Sequence, residues 1–184
     1  MNRYRLPSSA EFGGREYPHR TDFREMLTVF SVLNDEKKPE LLRWYTAISY
    51  FFKEEIPARH RAAAMEYLAD FLTCGETGRP GPKLFDWEQD AAAIIADVNA
   101  AAGREVRSEA LHWWTFLSYF HGIREGQLSN LIAIRQKLRR GEKLEKHEQE
   151  FYRDNPEKVR LRKVSPPDPE KARLIAMLDG TPVP

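Results

Sequence analysis

From Thr21 onward, apolar residues recur at intervals of three and four, and the runs stop at glycine, proline or asparagine. In TDFREMLTVFSVLND, Phe23, Met26, Leu27 and Phe30 share one side, and Asp22 with Glu25 three places on reads as an N-cap and its partner. The stretch KKPELLRWYTAISYFF predicts a second helix with Pro39 near its first turn and Leu41, Tyr45, Ile48 and Phe52 on one side, ending before Pro57. A third helix runs from Pro57 to Gly75, and FDWEQDAAAIIADVNAAAG predicts a fourth that ends at Gly103, with Trp87, Ala91, Ile94, Val98 and Ala101 on one face. Ser108 is placed to cap a fifth helix that Gly122 closes. QLSNLIAIRQKLRRG predicts a sixth ending at Gly141, and EKLEKHEQEFYRDN a shorter polar one.

The two ends of the chain read differently. The first twenty residues show no helical period and are expected to form a loose arm. Beyond Pro156 the chain turns basic and then proline-rich, VRLRKVSPPDP, before DPEKARLIAMLDG, where Asp168 and Pro169 suit the N-cap and first position of a last helix that either docks back or swings free. No strand pattern competes with helix over a long window, and no internal repeat is visible. The expected class is all-α: a helical bundle of about seven or eight helices, with a flexible N-terminal arm over 1–20 and a helical domain over 21–155 that allows an internal break at 75–83. A basic, proline-rich C-terminal extension with a short terminal helix covers 156–184.

The segment LHWWTFLSYFHG is the densest aromatic stretch. On a wheel of about 100 degrees per residue, Leu111, Trp113, Trp114, Phe116, Leu117 and Phe120 cover a wide apolar arc, leaving His112, Thr115 and Tyr119 as a narrow strip. An arc that wide belongs to a helix enclosed on more than one side, whose indole N–H groups need partners. A base-stacking platform would pair exposed rings with a basic groove, and no lysine or arginine falls between Leu111 and Ile123. His121, in the last turn, suits a capping role at the final carbonyls.

Composition narrows the function classes. Aromatics at 11% and hydrophobic residues at 41% suit a folded globular protein, while a net charge of +1 gives no basic excess for duplex DNA or RNA. The one cysteine, Cys74, supplies neither an internal disulfide nor a zinc cluster and points to a reducing compartment. The amino terminus has basic residues but no apolar core of a signal peptide, and no apolar run is long enough to span a membrane.

Candidate catalytic and cofactor motifs fail on their chemistry. GETGRPGPK resembles a phosphate cradle, but Pro80 and Pro82 remove backbone donors and Lys83 is followed by Leu84. HEQEF begins like a zinc-protease helix, yet the second ligand position is Phe151. The five histidines have no ligand spacing, and Cys74 sits near a helix carboxyl end, where the dipole disfavours a thiolate. No catalytic residue, cofactor or metal is therefore assigned. Asp86, Asp90 and Asp97 run along one edge of the fourth helix, and a solvated border outweighs a cation site there. Arg135 projects into an apolar face formed by Leu128, Leu131, Ile132 and Leu138. A buried guanidinium must be paired, so it is expected to meet one of those aspartates, the alternative being a head that snorkels to water.

Together these residues resemble a family of small proteins of long-tailed phages, the gene-product-fifteen family, from about Phe23 to Leu161. The resemblance is carried by Asp86, Asp90 and Ile94 on one helix, by Leu111, His112, Trp113, Trp114 and Phe116 on the next, and by the pair Ile134 and Arg135. It departs at the turn AAGREV, where members commonly carry an aromatic residue before the glycine and an aspartate after it. What the resemblance implies is a non-enzymatic tail-morphogenesis protein, encoded beside the tape-measure gene and acting as a tail assembly chaperone in the host cytoplasm, absent from the mature virion. Its implied partners are the tape-measure protein and other tail assembly proteins, with homo-oligomerisation left open. The rival readings are a structural virion component at a tail end or connector and, less favoured, a nucleic-acid-binding regulator using the segment from Arg135 to Lys163, whose basic residues are interleaved with Glu142, Glu145, Glu148 and Glu150.

Overall fold

The computed structural model describes residues 4–76 and 81–162. Among these residues the chain forms eight α-helices and one two-stranded antiparallel sheet. The sheet corrects the expected loose arm and the all-α class. Strands β1 (Ser9–Phe12) and β2 (Arg15–Pro18) pair with Ala10 opposite Tyr17 and Phe12 opposite Arg15. Gly13 and Gly14 make the turn at φ of 61° and 77°, a left-handed backbone that suits a two-residue hairpin. Ala10, Phe12 and Tyr17 are buried. Phe12 meets Phe52 edge-on at 5.8 Å and Tyr67 at 6.1 Å, so the hairpin is part of the core.

Helix α1 (Phe23–Leu33) starts where its capping pair predicts: Asp22 is the N-cap, its carboxylate accepting from the Arg24 N–H at 2.9 Å. Phe23, Met26 and Val29 are its buried residues. In α2 (Glu40–Phe51) the buried face is confined to the carboxyl-terminal half, at Ala47, Ile48 and Phe51. Leu41 is 58% exposed, against the sequence expectation. At that end Phe51 lies 5.1 Å from Phe71, and Phe52 bridges backbone to backbone with His19.

Pro57 opens a single 3-10 turn (Ala58–His60) that leads into α3 (Arg61–Leu72). Part of the expected break at 75–83 lies outside the described residues. Helix α4 (Ala91–Ala102) begins six residues after Phe85, because 87–90 form a turn instead, and it ends at Gly103 with φ 67°. Helix α5 (Trp113–His121) is capped by His112 rather than Ser108, whose hydroxyl donates to the Glu105 carbonyl. Helix α6 (Gln127–Arg140) stops at left-handed Gly141, and α7 (Lys146–Asp154) opens with a capping box between Glu145 and Glu148.

Residues 156–162 were expected to start an extension, yet they join the body. Helix α8 (Pro156–Val159) packs on α6 and α7, with Val159 1% exposed. Asp168, Pro169 and the predicted terminal helix lie outside the described residues. Packing runs as a chain of neighbours: α3 on α2, α2 on α1, α1 on α5, α5 on α4, α4 on α6, and α6 on α8. Helix α5 is central in that order, which is why its apolar arc is wide: Trp113 and Phe116 have no exposed surface, and Phe116 stacks parallel on Phe23 at 4.4 Å. Each such side chain contributes on the order of 2–3 kcal/mol through burial.

Candidate functional site

The Leu-His-Trp-Trp stretch works as a clip between helix ends. Residues 21–23 and 111–113 lie antiparallel: the Phe23 N–H donates to the Leu111 carbonyl at 2.9 Å, and the Trp113 N–H to Thr21 at 2.7 Å. Asp22 caps both segments, since its second carboxylate oxygen accepts from the Leu111 N–H at 3.1 Å. Burial pushes the Asp22 carboxyl up, but its hydrogen bonds from Arg24 and Leu111 outweigh that and hold it below the usual range. His112 Nδ1 accepts from the Trp114 N–H at 3.1 Å while Nε2–H donates to the Pro7 carbonyl at 2.9 Å, an arrangement that requires the neutral ring. The two indoles donate to consecutive carbonyls at the end of α3, Trp113 to Leu72 at 3.1 Å and Trp114 to Phe71 at 2.9 Å. Those carbonyls are among the ones a helix terminus leaves without helical partners.

Asp86, Asp90 and Arg135 converge at the start of α4. The Arg135 guanidinium grips Asp90 with bonds of 2.6 and 2.8 Å, and spends its other N–H groups on the carbonyls of Leu84, Lys158 and Val159. Its five donors are thus all used. Asp86 caps the turn before α4, accepting from the N–H groups of Glu88 and Gln89 and from Lys83. Burial raises its carboxyl pKa, but those bonds, led by Gln89, more than reverse the effect. The expected solvated border is therefore a correction: Asp90 and Asp97 are both buried. No group of three or more metal-ligating side chains occurs among the described residues.

Asp97, one helical face further on, caps another helix. Its carboxylate accepts from the N–H groups of Gln127 and Leu128 at 3.1 and 2.8 Å, at the amino terminus of α6, where Gly126 carries no side chain. A Cβ at Gly126 would overlap that carboxylate. Gln89 closes the corner: its Nε2 donates to the carbonyls of Glu157 and Arg160, and its Oε1 accepts from the Arg162 N–H at 2.8 Å.

Beside these polar contacts lies a groove of about 890 Å³ between α4, α6, α7, α8 and the residues that follow α8. Ala93, Leu131, Ile134, Phe151 and Leu161 supply apolar surface, while Lys158, Arg160 and Arg162 bring positive charge and Glu148 and Glu157 negative charge to the lining. Phe151, which spoils the metal-ligand pattern, is partly exposed in the wall of this groove. Ile134 faces it from α6, and Arg135 beside it points to the network below.

The remaining histidines fall elsewhere. His121 is exposed at the end of α5. His19 is buried against Phe51 at 4.4 Å, its Nδ1–H donates to the Arg20 carbonyl, and its Nε2 lies 3.0 Å from the Tyr67 hydroxyl, which itself donates to Ser9. Burial, with smaller repulsions from His112 and Lys53, pushes the His19 pKa down to about 4, and burial lifts Tyr67 to about 12. Sequence reasoning missed His19, Gln89, Asp97 as a cap and Gly126. The one local signal was Gly126 itself, a glycine immediately before a helix with no capping side chain of its own.

Two comparisons returned no match, neither a curated protein nor a solved structure. A family model described as Bacteriophage Gp15 protein matches residues 3–161, taking in the hairpin as well as the helices.

Proposed function

Because this chain belongs to the bacteriophage Gp15 protein family, we propose that it is a non-enzymatic tail assembly chaperone that covers apolar helical segments of the tape-measure protein in the host cytoplasm. The observation that carries the reading is the groove between α4, α6 and α7, whose lining combines apolar side chains such as Leu131, Ile134 and Phe151 with polar and charged ones. Such a trough suits one face of an amphipathic helix, with side chains spaced by three and four residues entering it. A tape measure is long, helical and amphipathic, and before tube protein surrounds it the exposed apolar stripes favour aggregation. A partner that binds the stripes moderately protects them and yields when polymerising tube competes. The Arg135 and Asp97 networks support the reading by holding α4, α6 and α8 in one register, so that the groove is formed before a partner arrives.

Co-expression with the tape-measure protein encoded nearby, followed by size-exclusion chromatography with light scattering at moderate salt, tests this. A soluble co-eluting complex, lost on Ala133→Arg in the groove, is the expected result. An insoluble tape measure beside a closed ring of this chain, with the chain present in purified particles, would overturn it in favour of a structural virion component.

A further inference from the structure

We infer that the helix this groove accepts is an acidic one, whose carboxylates meet Lys158, Arg160 and Arg162. This rests on the groove being a helix site, as proposed above, and adds the charge of what fills it.

The segment from Glu157 to Arg162 is held by its backbone, which leaves its side chains to a partner. Arg135, from α6, donates to the carbonyls of Lys158 and Val159. Gln89 donates to those of Glu157 and Arg160 and accepts from the Arg162 N–H. Lys158, Arg160 and Arg162 all line the groove and are exposed. Their backbone positions are fixed before a partner arrives, so binding does not have to order them.

The charges of the lining do not cancel. Of its three carboxylates, Asp90 is spent on Arg135, and Glu148 on Lys137 at 2.8 Å and on the Glu145 N–H that opens α7. Glu157 alone remains, against Lys158, Arg160 and Arg162, none of which has an ion-pair partner among the described residues. Arg160 lies 5.6 Å from the centre of the Tyr152 ring and donates to its hydroxyl, contacts that orient the guanidinium without neutralising it. His147, also in the lining, faces Glu145 at 3.6 Å. The unmatched cations stand beside apolar surface at Phe151, 39% exposed, and Leu161. Ala92 on α4 and Ala133 on α6 are exposed in the same lining and small enough to let a helix axis come close. An apolar stripe flanked by carboxylates matches both halves of this surface. A nucleic-acid backbone would match the cations only, and would bring its phosphates against Glu157.

Three labelled helical peptides of about 18 residues, sharing one leucine stripe and flanked by Glu, Gln or Lys, test this by fluorescence anisotropy with the full chain. The Glu peptide is expected to bind about tenfold tighter than the Lys peptide in dilute salt, each exposed pair being worth a few-fold. The preference should shrink toward none at about 0.5 M NaCl, where the screening length is about 4 Å. Lys158→Glu/Arg162→Glu should reverse it, a gain for the Lys peptide that no loss of folding could produce. Ala133→Arg should abolish binding of the Glu peptide although it adds a cation, which places the peptide in the groove. Equal affinity for the Glu and Lys peptides, lost on Ala133→Arg, would overturn the inference and leave the helix groove standing. Binding that survives Ala133→Arg, or binding of none of the three, would overturn the groove reading and the inference together. A single-stranded oligonucleotide that displaces the Glu peptide and is lost on Lys158→Glu/Arg162→Glu would give the cations to nucleic acid instead. A parent chain that light scattering finds dimeric, with Ala133→Arg monomeric, would give the groove to a second copy, and either result overturns the inference.

Discussion

Arg135 and Asp90 form a two-pronged ion pair with side chains only 4% and 2% exposed, joining the middle of α6 to the start of α4 across 45 residues of sequence. Taking both charges from water is costly, and the cost is offset here because the guanidinium also satisfies three carbonyls from two other segments. On this account the pair is expected to set the register of α4 and α6 more than to add net stability.

Removing one partner should therefore be worse than removing both. Arg135→Met or Asp90→Leu alone is expected to lower stability by about 3–5 kcal/mol, and the double variant by less than the sum. Urea denaturation of the four proteins measures the coupling. An Arg135→Met protein as stable as the parent would sink the account.

The close approach of Asp97 to Gly126 predicts a steric penalty at a surface-adjacent glycine. Gly126→Ala should cost about 1–3 kcal/mol by forcing the carboxylate off the α6 amides. Asp97→Ala should cost about 1–2 kcal/mol through loss of the cap. Because both act on one contact, the double variant should lose little more than the worse single one, as thermal unfolding would reveal.

The paired tryptophans offer a separable test of their N–H groups. Trp113→Phe and Trp114→Phe keep an aromatic ring in the core but leave the Leu72 and Phe71 carbonyls short of a donor. Each should cost about 1–3 kcal/mol. Exchange of amides in the last turn of α3 should quicken, with α6 unaffected.

Acid should weaken the fold through its buried histidines. His19 has a folded pKa of about 4 against an ordinary 6.5, so above pH 6.5 both folded and unfolded forms are neutral and its stabilising contribution is complete. Between 6.5 and 4 the unfolded chain binds a proton that the folded chain refuses, and stability falls by up to about 3 kcal/mol. His112, also lowered chiefly by burial against a weaker opposing bond to Pro7, acts with the same sign. His19→Phe should flatten the dependence of the urea midpoint on pH over that window. An unchanged slope would exclude His19 as its source.

Features set by contacts within one turn were legible in the sequence. Asp22 capping α1 and the glycines that end α4, α5 and α6 are such cases, since a cap and its helix are neighbours in the chain. The buried arc of α5 was legible because helical period alone puts Trp113, Phe116 and Leu117 together. Four-residue strands are too short to show a period, so the hairpin was hidden among the first twenty residues.

By itself, then, the sequence determined helices α1 to α7, several of their ends and the central apolar face, and it marked Arg135 as a guanidinium that either meets an acid or snorkels to water. Tertiary structure alone decided that the partner is Asp90, that Asp97 serves α6 and that the two tryptophans serve α3. An aspartate on a helix edge looks the same whether it faces water or a neighbouring helix. The difference is made by donors 30 to 45 residues away, whose positions exist only once the intervening loops have closed and packing has fixed which helix end meets which side chain.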